Sequence, residues 1–283
     1  MSSNYSAVVG AGTMGLGIAY VLAAAGDDVM IVEPDAGRAA AAVASLTGVA
    51  ESAVSRGKLE DTAAKELIGR LSVVGAIAEL PATGADLVIE AVPERVDLKK
   101  AILRDLEDHC APAILATNTS GLSIDELAGV LAHPERFLGL HFFNPVWVMA
   151  LVEIVNGDRT DPAVLDAARA LAVRIGKEPI VVRNAPGFAT SRLGVAIGLE
   201  AMRMFEDGVA SAADIDKAME LGYRHPMGPL RLTDLVGLDV RLDISRHLAA
   251  SLGPRFAPPQ ILIDKVAAGE LGKKSGKGFY DWS

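Results

Sequence analysis

The chain has 283 residues, of which 51% are hydrophobic, and its formal net charge is -9. A chain of this length and composition can form one large or two medium domains with their own cores, which excludes disorder as its main state. The acidic balance argues against a nucleic-acid partner. The single cysteine, Cys110, cannot form an intrachain disulfide, and we interpret it as a buried apolar side chain.

The start of the chain lacks the basic segment that precedes a secretion signal. The longest apolar run near it, residues 16–25, is too short to span a bilayer. We therefore expect a soluble, cytoplasmic protein with no membrane partner.

A glycine-rich loop follows the first predicted strand, residues 5–9, and precedes a predicted helix over 16–25. This strand–turn–helix order is typical of a dinucleotide-binding site, in which backbone N–H groups at the helix start approach the pyrophosphate. The alternative is an ordinary glycine turn. The loop residues that we assign to the cofactor are Gly10, Gly12, Thr13, Met14 and Gly15.

A second predicted strand, residues 29–32, ends at Glu33, which is 18 residues after Gly15. A carboxylate there would accept hydrogen bonds from the ribose hydroxyls. It would also repel the extra phosphate of NADP, so we predict NAD as the cofactor. Arg38 has no clear role in this choice.

The remaining elements divide the chain into two parts. A helical stretch over 35–70, broken near Gly57 and Lys58, predicts an inserted helical hairpin. Further strands are predicted at 71–74, 86–91, 114–117, 137–142, 151–155 and 179–182, with helices at 96–109 and 162–175. Helices alone are predicted at 188–206, 212–221, 229–236 and 240–251. The fold class is therefore α/β: a Rossmann-type doubly wound sheet over 1–184, followed by an all-helical domain over 185–283.

Three polar side chains form a candidate catalytic group. His141 lies at the C-terminal end of a predicted strand, where open parallel sheets place their chemistry. Glu153 lies in an apolar run, where burial would require a partner such as His141. Ser120 follows another strand and could hydrogen-bond a reacting oxygen. Taken singly, each also has a plain structural interpretation: a satisfied core histidine, a solvent-facing edge position and a loop serine.

Several motifs, in order along almost the whole chain, resemble the L-3-hydroxyacyl-CoA dehydrogenase family. Besides the glycine turn they are Asn-Thr-Ser at 118–120, Gly-Leu-His-Phe-Phe-Asn-Pro at 139–145, Leu-Val-Glu at 151–153, Pro-Gly-Phe at 186–188, His-Pro-Met-Gly-Pro at 225–229 and Gly-Lys-Gly-Phe-Tyr-Asp at 276–281. The resemblance implies NAD-dependent, reversible oxidation of a short-chain (S)-3-hydroxyacyl-CoA such as 3-hydroxybutyryl-CoA. It also implies a homodimer, a place in fatty-acid metabolism and a substrate bound between the two domains.

The resemblance also assigns roles. His141 would remove the hydroxyl proton, Glu153 would orient the imidazole, and Ser120 would hydrogen-bond the substrate oxygen. Glu94, Lys99 and Asn118 would lie at the cofactor, and Ser191 at the catalytic centre. Asn144 would contact the substrate, as would Lys58 in the hairpin that resembles the CoA-binding arm, with Arg56 and Lys65 as further candidates. No metal site is predicted, because His, Cys and acidic residues do not gather at ligand spacing.

Four positions depart from the family pattern. Ser191 stands where asparagine is usual, Gly121 where a second serine is common, Trp147 where proline is frequent, and Ala150 where lysine is common. These changes lie near the expected active site, so the acyl group could be unusual. Two alternatives therefore stay open: a substrate on an acyl carrier protein or a free hydroxy acid, and a non-catalytic NAD-binding protein.

Overall fold

A computed structural model of the protein describes residues 5–282. The expectation about the start of the chain depends partly on residues 1–4, which lie outside the described residues. The chain divides into two compact units, the first ending at Ala185 and the second beginning at Pro186. The boundary predicted from the sequence, between residues 184 and 185, lies one residue earlier. Within the described part of the chain, no helix combines the length and the apolar composition that a membrane crossing requires.

The first unit is built on one eight-stranded sheet with flanking helices. Its strands are β1 (Tyr5–Val9), β2 (Val29–Val32), β3 (Leu71–Val74), β4 (Ala85–Glu90), β5 (Ile114–Thr117), β6 (Phe137–Phe142), β7 (Leu151–Asn156) and β8 (Glu178–Arg183). They lie in the order β3-β2-β1-β4-β5-β6-β7-β8, and neighbours are parallel except for the antiparallel pair β6 and β7. The predicted Rossmann-type fold class is confirmed.

The direction of the strand order changes at β1. From β1 the chain builds outward through β2 and β3 on one side, and from β4 onward on the other. Open α/β sheets bind ligands at the carboxyl ends of the strands next to such a switch point. The glycine loop follows β1 and residues 91–95 follow β4, so both segments lie where this rule places a ligand.

The helices of the first unit connect these strands. They are α1 (Thr13–Ala24), α2 (Ala36–Ser55), α3 (Asp61–Gly69), α4 (Val96–Cys110), α5 (Ile124–Ala128) and α6 (Pro162–Arg174). α1 is apolar on nearly every side and is buried accordingly. Cys110, the last residue of α4, is a free cysteine and is buried, and burial raises the pKa of its thiol.

The predicted hairpin forms from α2 and α3, and its inner face belongs to the core. Ala42, Leu46 and Ala50 recur at intervals of four along α2 and are each 1% exposed, so they lie on one helix face. Ala64 and Leu67 of α3 join the same cluster. The turn between the helices, which contains Gly57 and Lys58, is exposed.

The second unit is helical. Its helices are α7 (Thr190–Glu206), α8 (Ala212–Gly222), α9 (Pro229–Val236), α10 (Leu238–Leu252) and α11 (Gln260–Ala267). Buried apolar side chains of α7, α8, α9, α10 and α11 form one cluster. The C-terminal segment is attached through the buried carboxylate of Asp234, which accepts hydrogen bonds of 2.9 Å from the backbones of Phe279 and Tyr280 and from the indole of Trp282.

Candidate active site

The glycine loop can be built only from glycine at two positions. Gly10 has a φ of 105°, and a Cβ added there would lie 2.9 Å from the carbonyl oxygen of Ala91. A Cβ on Gly15 would lie 1.9 Å from the carbonyl oxygen of Gly10. These close approaches bring β1, α1 and the segment after β4 together, as a dinucleotide-binding turn requires.

The first turn of α1 is open to an anion. Gly12 is its N-cap and provides no side-chain acceptor, and an added Cβ at Gly12 would meet nothing within 4 Å. Thr13 and Met14 are the first helical residues, so their backbone N–H groups belong to the set that a helix cannot satisfy internally. The residues present therefore fit a pyrophosphate at this helix start.

Glu33 sits at the end of β2 and is 3% exposed. Its carboxylate accepts hydrogen bonds from the backbone N–H of Ala11 at 3.1 Å and of Asp35 at 2.9 Å, and from the guanidinium of Arg38 at 2.9 Å. Burial acts to raise the pKa of Glu33, but the hydrogen bonds from Arg38 and the two backbone groups outweigh it, so the pKa lies below its ordinary value. Glu33 is therefore an ordered hydrogen-bond acceptor, and it lines a cavity together with the glycine loop. The pairing of Arg38 with Glu33 was not predicted from the sequence, although Arg38 follows Glu33 by only five residues.

Two cavities follow the carboxyl edge of the sheet. The larger, about 760 Å³, is bounded by the glycine loop, Glu33 and Arg38, and the smaller, about 360 Å³, contains His141. Met14, Ala91 and Val92 line both, so the two cavities are adjacent. Their sizes fall in the range of small-molecule and cofactor sites.

His141 and Glu153 face each other across the antiparallel pair β6 and β7, where they are register partners. The imidazole Nδ1 lies 2.7 Å from a carboxylate oxygen of Glu153, and the two residues are 7% and 0% exposed. Because an ionised carboxylate can only accept, the proton of a neutral imidazole resides on Nδ1 and Nε2 is the basic nitrogen. This arrangement is that of a general base oriented by a buried acid.

Phe143 is a residue of this site that sequence reasoning did not select. Its ring centroid lies 4.4 Å from that of His141, with the planes tilted by 50°. It also lines the smaller cavity. The signal was its place two residues after the histidine, which on an extended strand puts both side chains on the same face.

The loop after β5 places Asn118 and Ser120 in the same cavity as His141. The side-chain oxygen of Asn118 accepts a hydrogen bond of 2.9 Å from the backbone of Phe142, which couples this loop to β6. Ser120 is exposed, and its backbone N–H donates to Glu94 at 3.0 Å. Glu94 also accepts a short hydrogen bond from the hydroxyl of Thr119. The sequence-predicted residues Asn118, Ser120, Glu94 and His141 therefore share one cavity.

Lys99 occupies a different place from the predicted cofactor contact. It is 0% exposed and lines neither cavity. Its ammonium group lies 2.7 and 2.9 Å from the two carboxylate oxygens of Glu90 and 3.3 Å from Glu94. Lys99 therefore positions Glu94 and neutralises Glu90, which is also 0% exposed. The burial and pairing of Glu90 were not predicted from the sequence, although Glu90 ends a buried strand and Glu33 lies at the end of another.

The other predicted substrate residues are dispersed. Asn144 is exposed and lines the smaller cavity. Lys58 is exposed in the turn between α2 and α3 and lines neither cavity. Lys65 also lines neither cavity, and its ammonium group pairs with the carboxylate of Asp61 at 2.6 Å. Ser191 belongs to the second unit, where it is half-buried in the first turn of α7.

The structure shows the surroundings of three of the positions that depart from the family pattern. The Trp147 ring packs against Tyr20 of α1, with centroids 5.7 Å apart, and does not line the cavity of His141. A Cβ on Gly121 would meet nothing within 4 Å, so the space of a second serine is empty of protein there. The carbonyl oxygen of Ala150 accepts from the backbone of Glu178 at 2.8 Å, a bond that any residue could make.

Comparisons with known proteins agree with the geometry. Residues 6–185 match the 3-hydroxyacyl-CoA dehydrogenase NAD binding domain, and residues 187–282 match the C-terminal domain of the same family. The chain is 39% identical to a 3-hydroxybutyryl-CoA dehydrogenase of Clostridioides difficile, over 98% of this chain and 99% of that protein.

Two further comparisons cover nearly all of the chain or the whole of it. It is 41% identical to the 3-hydroxyadipyl-CoA dehydrogenase of Escherichia coli K12 over 98% of this chain, but spans only 58% of the length of that relative. The crystal structure of (S)-3-hydroxybutyryl-CoA dehydrogenase from Ralstonia eutropha superimposes with a TM-score of 0.94 at 38% identity, covering 100% of both chains.

Proposed function

The chain belongs to the 3-hydroxyacyl-CoA dehydrogenase family, and from this premise we propose that it oxidises a short-chain (S)-3-hydroxyacyl-CoA, such as (S)-3-hydroxybutyryl-CoA, to the 3-oxoacyl-CoA, reversibly. NAD is the cofactor, since the first unit matches the NAD binding domain of the family. The observation that carries the proposal is the buried His141–Glu153 pair, 2.7 Å apart, whose histidine lines a cavity adjacent to the glycine-loop cavity.

His141 is the proposed base. Its Nε2 takes the proton of the 3-hydroxyl group as the C3–H bond breaks and the C3–O bond becomes a carbonyl. Glu153 holds the ring in the productive tautomer and stabilises the imidazolium that forms. NAD, when bound, accepts the hydride that leaves C3. In the reverse direction, the imidazolium of His141 returns the proton to the alkoxide.

Polar groups of the cavity are the proposed hydrogen-bond partners of the substrate 3-oxygen, whose charge changes during the reaction. The Ser120 hydroxyl is the proposed hydrogen-bond partner of the 3-oxygen, and Glu94 fixes the Ser120 backbone. The side-chain oxygen of Asn118 is engaged by Phe142, so its amide NH₂ is the group directed to a ligand. We propose Asn118 and Glu94 for the nicotinamide end and Asn144 for the substrate, because all three line the cavity of His141. Ser191 and Lys58 remain proposals that depend on the family resemblance.

The carrier of the acyl group is the first point to test. NADH formation is measured with (S)-3-hydroxybutyryl-CoA, the same acyl group on an acyl carrier protein, and free (S)-3-hydroxybutyrate. We expect the highest kcat/KM on the CoA ester. A preference for the carrier-bound or free acid would replace the proposed substrate. Tight NAD binding without turnover on any of the three would favour a non-catalytic NAD-binding protein.

We further propose that the second unit forms a homodimer. Several of its large apolar side chains are exposed on three helices that contact one another, and large exposed apolar patches mark interaction surfaces. On α7, α9 and α10 they are Leu193, Ile197, Leu232, Leu235, Val236 and Val240. Sedimentation at micromolar protein should give twice the chain mass of 29.5 kDa, and a monomer mass would exclude the homodimer.

A cytoplasmic location and a role in fatty-acid metabolism stay predictions. They are tested by cell fractionation and by the growth of a deletion strain on short fatty acids.

A further inference from the structure

Lys177 is a buried cation of the first unit that pairs with backbone oxygens instead of a carboxylate. It lies between α6 and β8 and is 7% exposed. Its ammonium group donates hydrogen bonds to the carbonyl oxygens of Val146 at 2.5 Å and of Met149 at 2.8 Å. Within the described part of the chain no carboxylate pairs with it. Burying a cation costs free energy, which these two charge-assisted hydrogen bonds offset in part.

Both carbonyl groups belong to residues 143–150, the β6–β7 loop. No backbone N–H among residues 5–282 donates to the carbonyl oxygen of Val146 or of Met149. A side chain without donors at position 177 would therefore leave both oxygens without a protein partner, which is unfavourable for groups removed from water. The conformation of the β6–β7 loop thus depends on an ammonium group that comes from another part of the sheet.

The β6–β7 loop begins at the candidate active site. Its first residues, Phe143 and Asn144, line the cavity of His141, and the Phe143 ring lies 4.4 Å from the imidazole. The middle of the loop packs against α1, because a Cβ added to Gly17 would lie 2.7 Å from Cγ2 of Val146. Lys177 therefore holds the far end of a loop whose near end forms part of the wall beside the proposed base.

We propose that Lys177 is a positioning residue for the acyl-CoA substrate: by holding the β6–β7 loop, it sets where Phe143 and Asn144 lie beside His141. This rests on the proposed function, in which Asn144 contacts the substrate and His141 is the base. Lys177 itself lines neither cavity, so it acts through the loop and not by contact with the reacting atoms.

The proposed NAD site is built from other elements. The glycine loop and Glu33 belong to β1, α1 and the end of β2. Buried side chains such as Ile18 and Leu22, both 0% exposed, hold α1 in the core of the first unit. Loss of Lys177 should therefore weaken the use of the thioester much more than the use of NAD.

The test is Lys177→Met, which keeps a long, flexible side chain but has no hydrogen-bond donor. We expect kcat/KM for (S)-3-hydroxybutyryl-CoA to fall on the order of 10- to 100-fold, the size expected for lost hydrogen bonds from a charged group. The KM for NAD should stay within about twofold of the wild-type value. Lys177→Gln keeps two N–H donors without the charge, should show a smaller loss with the same split, and serves where the methionine variant does not fold.

The matched control is Leu106→Ala on α4. Leu106 is 0% exposed and lines neither cavity, so its truncation destabilises the first unit without touching the β6–β7 loop. We expect both KM values of Leu106→Ala to stay near the wild type. If Leu106→Ala and Lys177→Met raise the KM for the thioester equally, general loss of stability explains the effect and the proposal is overturned.

Two measurements without turnover separate this proposal from the proposed function. The backbone N–H groups of Val148 and Met149 both donate to the carbonyl oxygen of Pro145 at 2.9 Å, so hydrogen exchange at these positions reports the order of the loop. We expect faster exchange there in Lys177→Met. We also expect butyryl-CoA, which lacks the 3-hydroxyl group, to bind about tenfold more weakly with NAD affinity unchanged.

These two results would support the role of Lys177 even if no hydroxyacyl thioester were oxidised. Equal binding of butyryl-CoA by the wild type and by Lys177→Met would overturn it. So would unchanged hydrogen exchange in the β6–β7 loop, because the loop would then keep its conformation without the ammonium group.

Discussion

At the scale of single residues, Glu33 is the one to which we assign the preference for NAD over NADP. Its carboxylate is already ordered by Ala11, Asp35 and Arg38, and its lowered pKa keeps it ionised in mildly acidic solution. An acceptor that is ordered before binding loses little entropy when a ribose hydroxyl arrives. The same negative charge disfavours a phosphate at this position.

Replacement of Glu33 by glutamine tests this role. The amide keeps the shape but loses the charge and one acceptor oxygen. We expect the KM for NAD to rise about tenfold and the preference for NAD over NADP to fall at least tenfold, the size of one charged hydrogen bond. Arg38→Gln is the control, since it leaves the carboxylate in place. An unchanged NAD:NADP ratio in Glu33→Gln would contradict the assignment.

At the scale of elements, β4 and α4 are joined by a buried ion pair. Lys99 of α4 neutralises Glu90 of β4, and Glu90 also accepts a 2.6 Å hydrogen bond from Thr117 of β5. Three elements that border the cavities therefore meet at one carboxylate. Such a pair does not by itself add much stability, but removal of one partner leaves an uncompensated buried charge.

Lys99→Met should therefore destabilise the protein by about 3–5 kcal/mol. The matched control is the neighbouring Lys100→Met, which breaks a pair with Glu126 whose side chain is 53% exposed and should cost less than about 1 kcal/mol. Urea denaturation of both variants gives the comparison. Equal effects of the two substitutions would mean that the buried pair has no special structural role.

The C-terminal segment of the second unit should show a pH-dependent stability. Hydrogen bonds from Lys265 of α11 and from Lys277 lower the pKa of Glu270 to about 2. A depressed folded-state pKa gives stability that is present above the unfolded value and is lost as pH falls through the folded one. The stability difference between wild type and Glu270→Gln should thus be largest above about pH 4.5 and decline toward pH 2. Thermal unfolding from pH 7 to pH 2 measures it, and a constant difference would contradict it.

Long periodic elements could be predicted from the sequence, whereas short and non-local features could not. The hairpin break near Gly57 and the strand that contains His141 have clear local sequence signals. α5 was missed because five residues give too few turns for a periodic pattern. α11 was missed although α9, which also has eight residues, was predicted. The pairing of Lys99 with Glu90, and the burial of Lys177 against the β6–β7 loop, depend on which elements pack together. The spacing of residues along the chain does not show which elements pack together.

For the whole molecule, both units belong to one family over residues 6–185 and 187–282. The first unit contains two adjacent cavities, one lined by Glu33 and the other by His141, so the residues that we assign to the cofactor and the proposed base lie within one unit. The second unit contains Ser191, whose role stays a proposal that depends on the family resemblance.

The central claim is that His141, oriented by Glu153, is the base of an NAD-dependent oxidation. The most direct test is NADH formation from (S)-3-hydroxybutyryl-CoA by the wild type and by His141→Gln, with NAD affinity measured in both. The account predicts a loss in kcat on the order of 10²- to 10⁴-fold with unchanged NAD affinity, because only proton transfer is removed. Turnover close to the wild-type rate in His141→Gln would contradict it.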